Sequence, residues 1–129
     1  GGPMGGRVAS MGYAMPYVLA LPREARREVF GAVRRDPDLP DRRARRDDYA
    51  EMITALRATP FDVAAVRAVL DRQADGAARV QSVAQAAWLE AVSDLSPDAR
   101  AAFSVRLEEA LSRNRSRDGG RDGDRDADR

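Results

Sequence analysis

The chain has 129 residues, with 22 basic and 21 acidic side chains and a formal net charge of +1. All the basic residues are arginine, and histidine and cysteine are absent. So even a balance offers no concentrated basic surface, which argues against a nucleic-acid partner. Without His, Cys or Lys the common bases and nucleophiles are missing, and no catalytic residue is expected.

Hydrophobic residues make up 43% of the chain, yet only 5% is aromatic and much of the rest is alanine. Small side chains suit close helix–helix packing, and no alternating strand pattern is found, so the expected class is all-α. No run approaches the roughly 18 apolar residues of a membrane span. The chain opens Gly1-Gly2-Pro3-Met4, without an initiator Met, and the expectation is that the true N-terminus, with any signal peptide or anchor, was removed or lies upstream.

Residues 1–20 form a Gly- and Met-rich leader that should be flexible, with an apolar strip from Tyr13 to Leu21 able to dock on the helices. Met4, Met11 and Met15 are soft donors, but gap-filling is the stronger reading of them. A first helix is expected from Pro22 to Arg35, with Val29, Phe30 and Val33 inward and Arg34 and Arg35 at its carbonyl end. Asp36-Pro37-Asp38-Leu39-Pro40 then breaks it. The second helix, about Pro40 to Ala58, shows Tyr49, Met52, Ile53 and Leu56 on one face. The same face, followed backwards, meets Arg42, Arg45 and Arg46. That half should project past the core or line a polar or dimer surface. The arginines are candidate partner-binding residues, although charge runs usually face water.

The organising stretch is Thr59–Leu95, read as one helix over about residues 60–95. Thr59 would be its N-cap, Pro60 its first residue, and Asp62 would bond back. Its expected stripe is Val63, Val66, Leu70, Ala74, Ala77, Val80, Ala84, Trp88, Ala91 and Leu95. Such a helix spans about 50 Å, so it needs partner helices or a second chain. Gly76 suggests a bend or a close contact, and Trp88 a core anchor or dimer contact.

Ser96-Pro97-Asp98 opens a last helix to about Arg113, with Ala99, Ala102, Phe103, Leu107, Ala110 and Leu111 inward. Residues 21–113 are thus one four-helix domain. Residues 114–129 are expected to be a neutral, disordered Arg/Asp tail, because they cannot bury enough surface to order themselves. One internal echo stands out. Leu21, Glu24, Ala25 and Arg26 match Leu95, Asp98, Ala99 and Arg100 at identical offsets, each at a helix start.

These landmarks, LPREARREV, an Arg-rich second helix, a PFD-initiated long helix and LSPDARAAF, resemble the periplasmic heavy-metal sensor or metal-resistance family. That family is distantly similar to the Spy-type periplasmic chaperones. The resemblance implies a four-helix hooked hairpin, usually a homodimer, in the periplasm and often tethered by an N-terminal anchor. Its sensing members bind cobalt, nickel or similar ions through His, with Glu and Met assisting, and signal to a membrane anti-sigma partner. This chain has no His, so that ligand set does not transfer, and no metal ligand can be named.

What chemistry remains is modest. Asp47 and Glu51, Asp71 and Asp75, and Glu90 and Asp94 stand four apart, but hard cations want more oxygens than two carboxylates offer. Ion pairs of Asp71 with Arg67 and of Asp75 with Arg79 are the simpler reading. The leading expectation is a non-enzymatic sensor-like or regulatory domain of metal resistance. The alternative is a Spy-type chaperone-like module for unfolded or partner proteins. Clustered donors would favour the first, and an exposed apolar patch the second.

Overall fold

The computed structural model describes residues 11–127, with side chains described as far as Ser116. Residues 1–10, including Met4, lie outside the described part. Five helices follow one another: α1 (Ala14–Leu19), α2 (Arg23–Arg35), α3 (Arg42–Arg57), α4 (Val63–Asp94) and α5 (Pro97–Ala127). There is no strand among the described residues, and the fold is all-α.

Helix α4 is the strut, and its partners divide it in two. Helix α2 makes the most extensive packing with it, followed by α3 and α1. Pro40, in the α2–α3 loop, sits over Gly76 near the middle of α4; a Cβ on Gly76 would stand 3.1 Å from Pro40 Cγ. Arg72 of α4 then reaches Asp48 and Glu51 of α3. So α2 and α3 lie one after the other along α4, α2 on its C-terminal half and α3 on its N-terminal half. The expectation for Gly76 resolves to close contact.

The C-terminal half carries the core. Val18, Val29, Val33 and Val80 are sealed from solvent, with Ala84, Ala91 and Phe103 beside them. Each fully buried valine contributes on the order of 1.5–3 kcal/mol of transfer free energy. Met11 is also fully buried and Met15 packs against the cluster, so these two fill gaps in the core. The flexible leader expected up to residue 20 therefore gives way, from Met11 onward, to packed structure. Apolar Met11, Ala14 and Val18 fall three and four apart, which gives α1 a buried face. Gly12 makes the entry possible. Its φ is +57°, and a Cβ there would lie 2.6 Å from Gln81 Oε1.

Helix ends follow local chemistry. Asp41 and Asp62 are N-caps, accepting from the Ala44 and Ala64 amides at 2.9 and 3.0 Å. Ser96 Oγ accepts from Ala99 N at 3.1 Å. The long helix thus starts at Val63 and not at Pro60. Asp62 takes the cap expected of Thr59, and the preceding Thr59–Pro60 bond is cis.

The internal echo has a structural meaning. Arg26 donates through Nη1 to Leu19 O at 3.3 Å, and Arg100 through Nη1 to Leu95 O at 3.5 Å. Each arginine, one turn into its helix, reaches back to a carbonyl at the end of the helix before it.

Helix α5 continues to Ala127, past Arg113, where capping and apolar pattern alone would end it. Elongating an existing helix needs no new nucleus, so polar residues can extend turns that packing has already started.

Candidate functional site

The N-terminal half of α4 and α3 form a two-helix arm with a thin interior. Val69 and Ala55 are buried between the helices, and Met52 is half-buried. The inner side of α3 is Asp48, Met52 and Ala55, because Arg72 holds Asp48 at 2.8 Å and also bonds Glu51. The hydrogen bond to Asp48, followed by that to Glu51, holds the Arg72 guanidinium above its ordinary pKa range. Glu51 is thereby engaged across the helices, away from Asp47.

That anchoring rotates the expected core face of α3 outward. Tyr49 is 56% exposed, Ile53 47% and Leu56 59%. The expected stripe on α4 is displaced in the same way. Val63 and Leu70 are 58% and 52% exposed, and Ala74 and Ala77 are exposed too. Val69, Gly76 and Val80 are buried instead. In the other half Ala84 and Ala91 are buried, and Trp88 and Leu95 are half-buried, as expected. Gly76 carries the reason: without a side chain it admits Pro40, and that contact sets which edge of α4 faces its neighbours.

The two exposed edges belong to one side of the arm. A groove of about 310 Å³ along the α3–α4 seam is lined by Arg45, Asp48 and Tyr49 of α3 and by Arg72, Gln73, Gly76 and Ala77 of α4. Ala77, Leu70 and Val63 stand seven apart and so share the edge that meets Tyr49. Ile53 and Leu56 continue the line from Tyr49, and Phe61 at the tip is 56% exposed. This is an apolar strip along the arm, with arginine at one end.

Of the candidate partner residues, Arg45 is half-buried in that seam, and Arg42 and Arg46 are exposed. They begin near the middle of α4 and do not project beyond it, because α3 starts beside the Pro40–Gly76 contact. Trp88 is not brought to them. It lies twelve residues beyond Gly76, about 18 Å along the helix. There its ring stands 5.5 Å from Tyr17 and 6.3 Å from Phe103, centroid to centroid. Its Nε1 donates to Tyr17 O at 3.1 Å. Trp88 therefore ties α1 and α5 to the strut. On α5, Phe103 is buried as expected, whereas Ala102 and Leu111 are exposed.

A metal centre finds little support in the donor set. The chain contains neither imidazole nor thiol. Among the described residues, no three His, Cys, Asp or Glu side chains converge on a possible ion. Met11, a soft donor by type, is enclosed in the core. Asp71 and Asp75 are exposed, and neither forms an ion pair with Arg67 or Arg79. The residues present do not fit a borderline divalent metal, which favours imidazole or thiolate. Among the described residues no helix is long and apolar enough to cross a membrane.

The sequence pattern of heavy-metal resistance proteins matches residues 1–102, from the start of the chain into α5. The chain belongs to the heavy-metal resistance family. No curated protein and no solved structure matches it significantly. Membership supports a role connected with metal resistance, in a family not known for enzymes. The matched span includes the whole arm and Trp88, and stops just before Phe103.

Proposed function

We propose that this heavy-metal resistance protein acts as a polypeptide-binding domain and does not hold the ion itself. An unfolded client, or a partner chain, would lie along the α3–α4 arm. The observation that carries the reading is the apolar strip of Tyr49, Ile53, Leu56, Val63 and Leu70, exposed beside Arg45 and Arg46. Scattered exposed apolar residues need no explanation, but five on one side of a two-helix arm are a patch of the kind that binds protein. The arginines add attraction for acidic segments and a planar donor for backbone carbonyls.

The reading joins the chaperone-like expectation to family membership, and it keeps a non-enzymatic, contact-driven role. A periplasmic location and a homodimer belong to the same proposal and rest on the family resemblance. The metal-sensor reading has less behind it, since the His ligands that such a sensor relies on are absent from the chain.

The test is aggregation of a reduced or heated model client, followed by light scattering with the full chain added. The expected result is suppression by the parent protein and loss of most of it in Ile53→Asp/Leu56→Asp. Both positions are surface sites, so folded stability should change by no more than about 0.5 kcal/mol each. A double variant that protects the client as well as its parent would sink the reading. Calorimetry with nickel, cobalt, zinc and copper checks the rival, because tight binding of any of them would restore a sensor.

A further inference from the structure

We propose that the groove between the carbonyl end of α1 and the middle of α5 binds an amphiphilic organic carboxylate. The groove measures about 500 Å³. Pro16, Leu19 and Leu21 supply an apolar wall, and Arg26, Arg106 and Arg113 face it with charge.

Two of the guanidinium groups are placed by the backbone. Arg26 Nη1 donates to Leu19 O at 3.3 Å, and Arg106 Nε donates to Ala20 O at 3.1 Å. Those carbonyls are consecutive in the chain, so the two cations are held side by side. Capping the end of α1 accounts for one N–H of each, out of the five a guanidinium carries. It does not neutralise them. The fractional negative charge at a helix end is about half an electron, and α1 has only six residues.

No carboxylate does so either. Among the described residues, none lies within ion-pairing distance of Arg26, Arg106 or Arg113. Glu109 lines the same groove without pairing. Arg113 stands two turns beyond Arg106 on the same side of α5 and adds a third cation. Like charges held together favour an anion between them, and a guanidinium fork matches the two oxygens of a carboxylate.

The shape selects among anions. An inorganic ion would fill little of a space this size, which falls in the range of small-molecule sites. The apolar wall suits a short hydrocarbon body. Leu19, 51% exposed, is a side chain such a body would cover. A carboxylate head between Arg26 and Arg106, with its tail along Pro16 and Leu19, uses every part of the site. This site is independent of the polypeptide-binding arm, and Arg106 and Arg113 lie outside the family match.

The experiment titrates octanoate into the full chain, followed by NMR of the arginine Nε–H and leucine methyl signals. Octanamide and inorganic phosphate serve as separate arms. Saturable shifts at Arg106 and Leu19 are expected with octanoate, with weaker effects from either control. The Arg113 side chain makes no hydrogen bond or ion pair with a described residue, so Arg113→Gln tests charge without disturbing α1. It should weaken octanoate by a few-fold up to roughly tenfold, the loss of one of three cations facing the head. Glu109→Gln should tighten it. Octanamide binding as well as octanoate would overturn the charge argument, and phosphate binding as well would overturn the amphiphile. An octanoate titration without saturable shifts at Arg106, or two variants that both leave affinity unchanged, would overturn the site.

Discussion

The two halves of α4 use similar residues to different ends. Toward the C-terminus, Val80, Ala84, Trp88 and Ala91 meet α1, α2 and α5, and the apolar face is covered from several sides. Toward the N-terminus, Val69 is buried on the side where α3 packs, and Val63 and Leu70 are left exposed. A helix pair can cover only the strip between its members; a third helix is needed to close a flank. The difference is therefore one of partner number, and not of hydrophobicity. One half of the strut can supply stability while the other supplies surface.

Substitutions can break or sharpen that contrast. Trp88→Ala removes the ring contacts to Tyr17 and Phe103 and the bond to Tyr17 O, all in the covered half. A loss of about 3 kcal/mol is expected, at the lower end of large-aromatic truncations because Trp88 is only half-buried. Urea unfolding measures it, and a loss no larger than that of an exposed site would erase the distinction. Gly12→Ala forces a side chain into positive φ and against Gln81. It should cost about 1–2 kcal/mol in the same assay and release α1 first, which hydrogen exchange would detect. On the arm, Arg72→Ala should have the smallest effect. Its two ion pairs are open to solvent, so any change in melting temperature should shrink as salt is added. A large, salt-insensitive drop there would mean that the arm is held more like the core.

Much of the fold could be read from capping and periodicity. Ser96-Pro97-Asp98 and Asp36-Pro37 mark helix boundaries through chemistry confined to a few residues, and the structure follows them within a residue or two. The covered half of the α4 stripe was equally legible, because Val80 through Leu95 meets helices on several sides. The arm was not. Periodicity finds an apolar face but does not say whether another element covers it. Tyr49, Ile53 and Leu56 look like a core face for that reason. The small residues Ala55 and Gly76, which look like filler, are what the helices close upon.

The surface charges divide in the same manner. Arg42, Arg45 and Arg46 catch the eye because they are neighbours in the chain. Arg26 and Arg106 become neighbours only when α5 folds back over the end of α1. No spacing announces a pair eighty residues apart. The echo around Arg26 pointed to the residue, but only as part of a helix start.

The Pro40–Gly76 contact has a mechanical side. Thirty-two residues of unbroken helix make α4 a rod of about 48 Å. The contact is a fulcrum: the chain crosses the rod near its middle, at a position with no side chain to cushion it. Beyond it on one side lies the arm that would grip a polypeptide; on the other, Trp88 grips the end of α1. The rod is thus held at two places on opposite sides of that crossing, by Arg72 to α3 on one and by Trp88 to Tyr17 on the other.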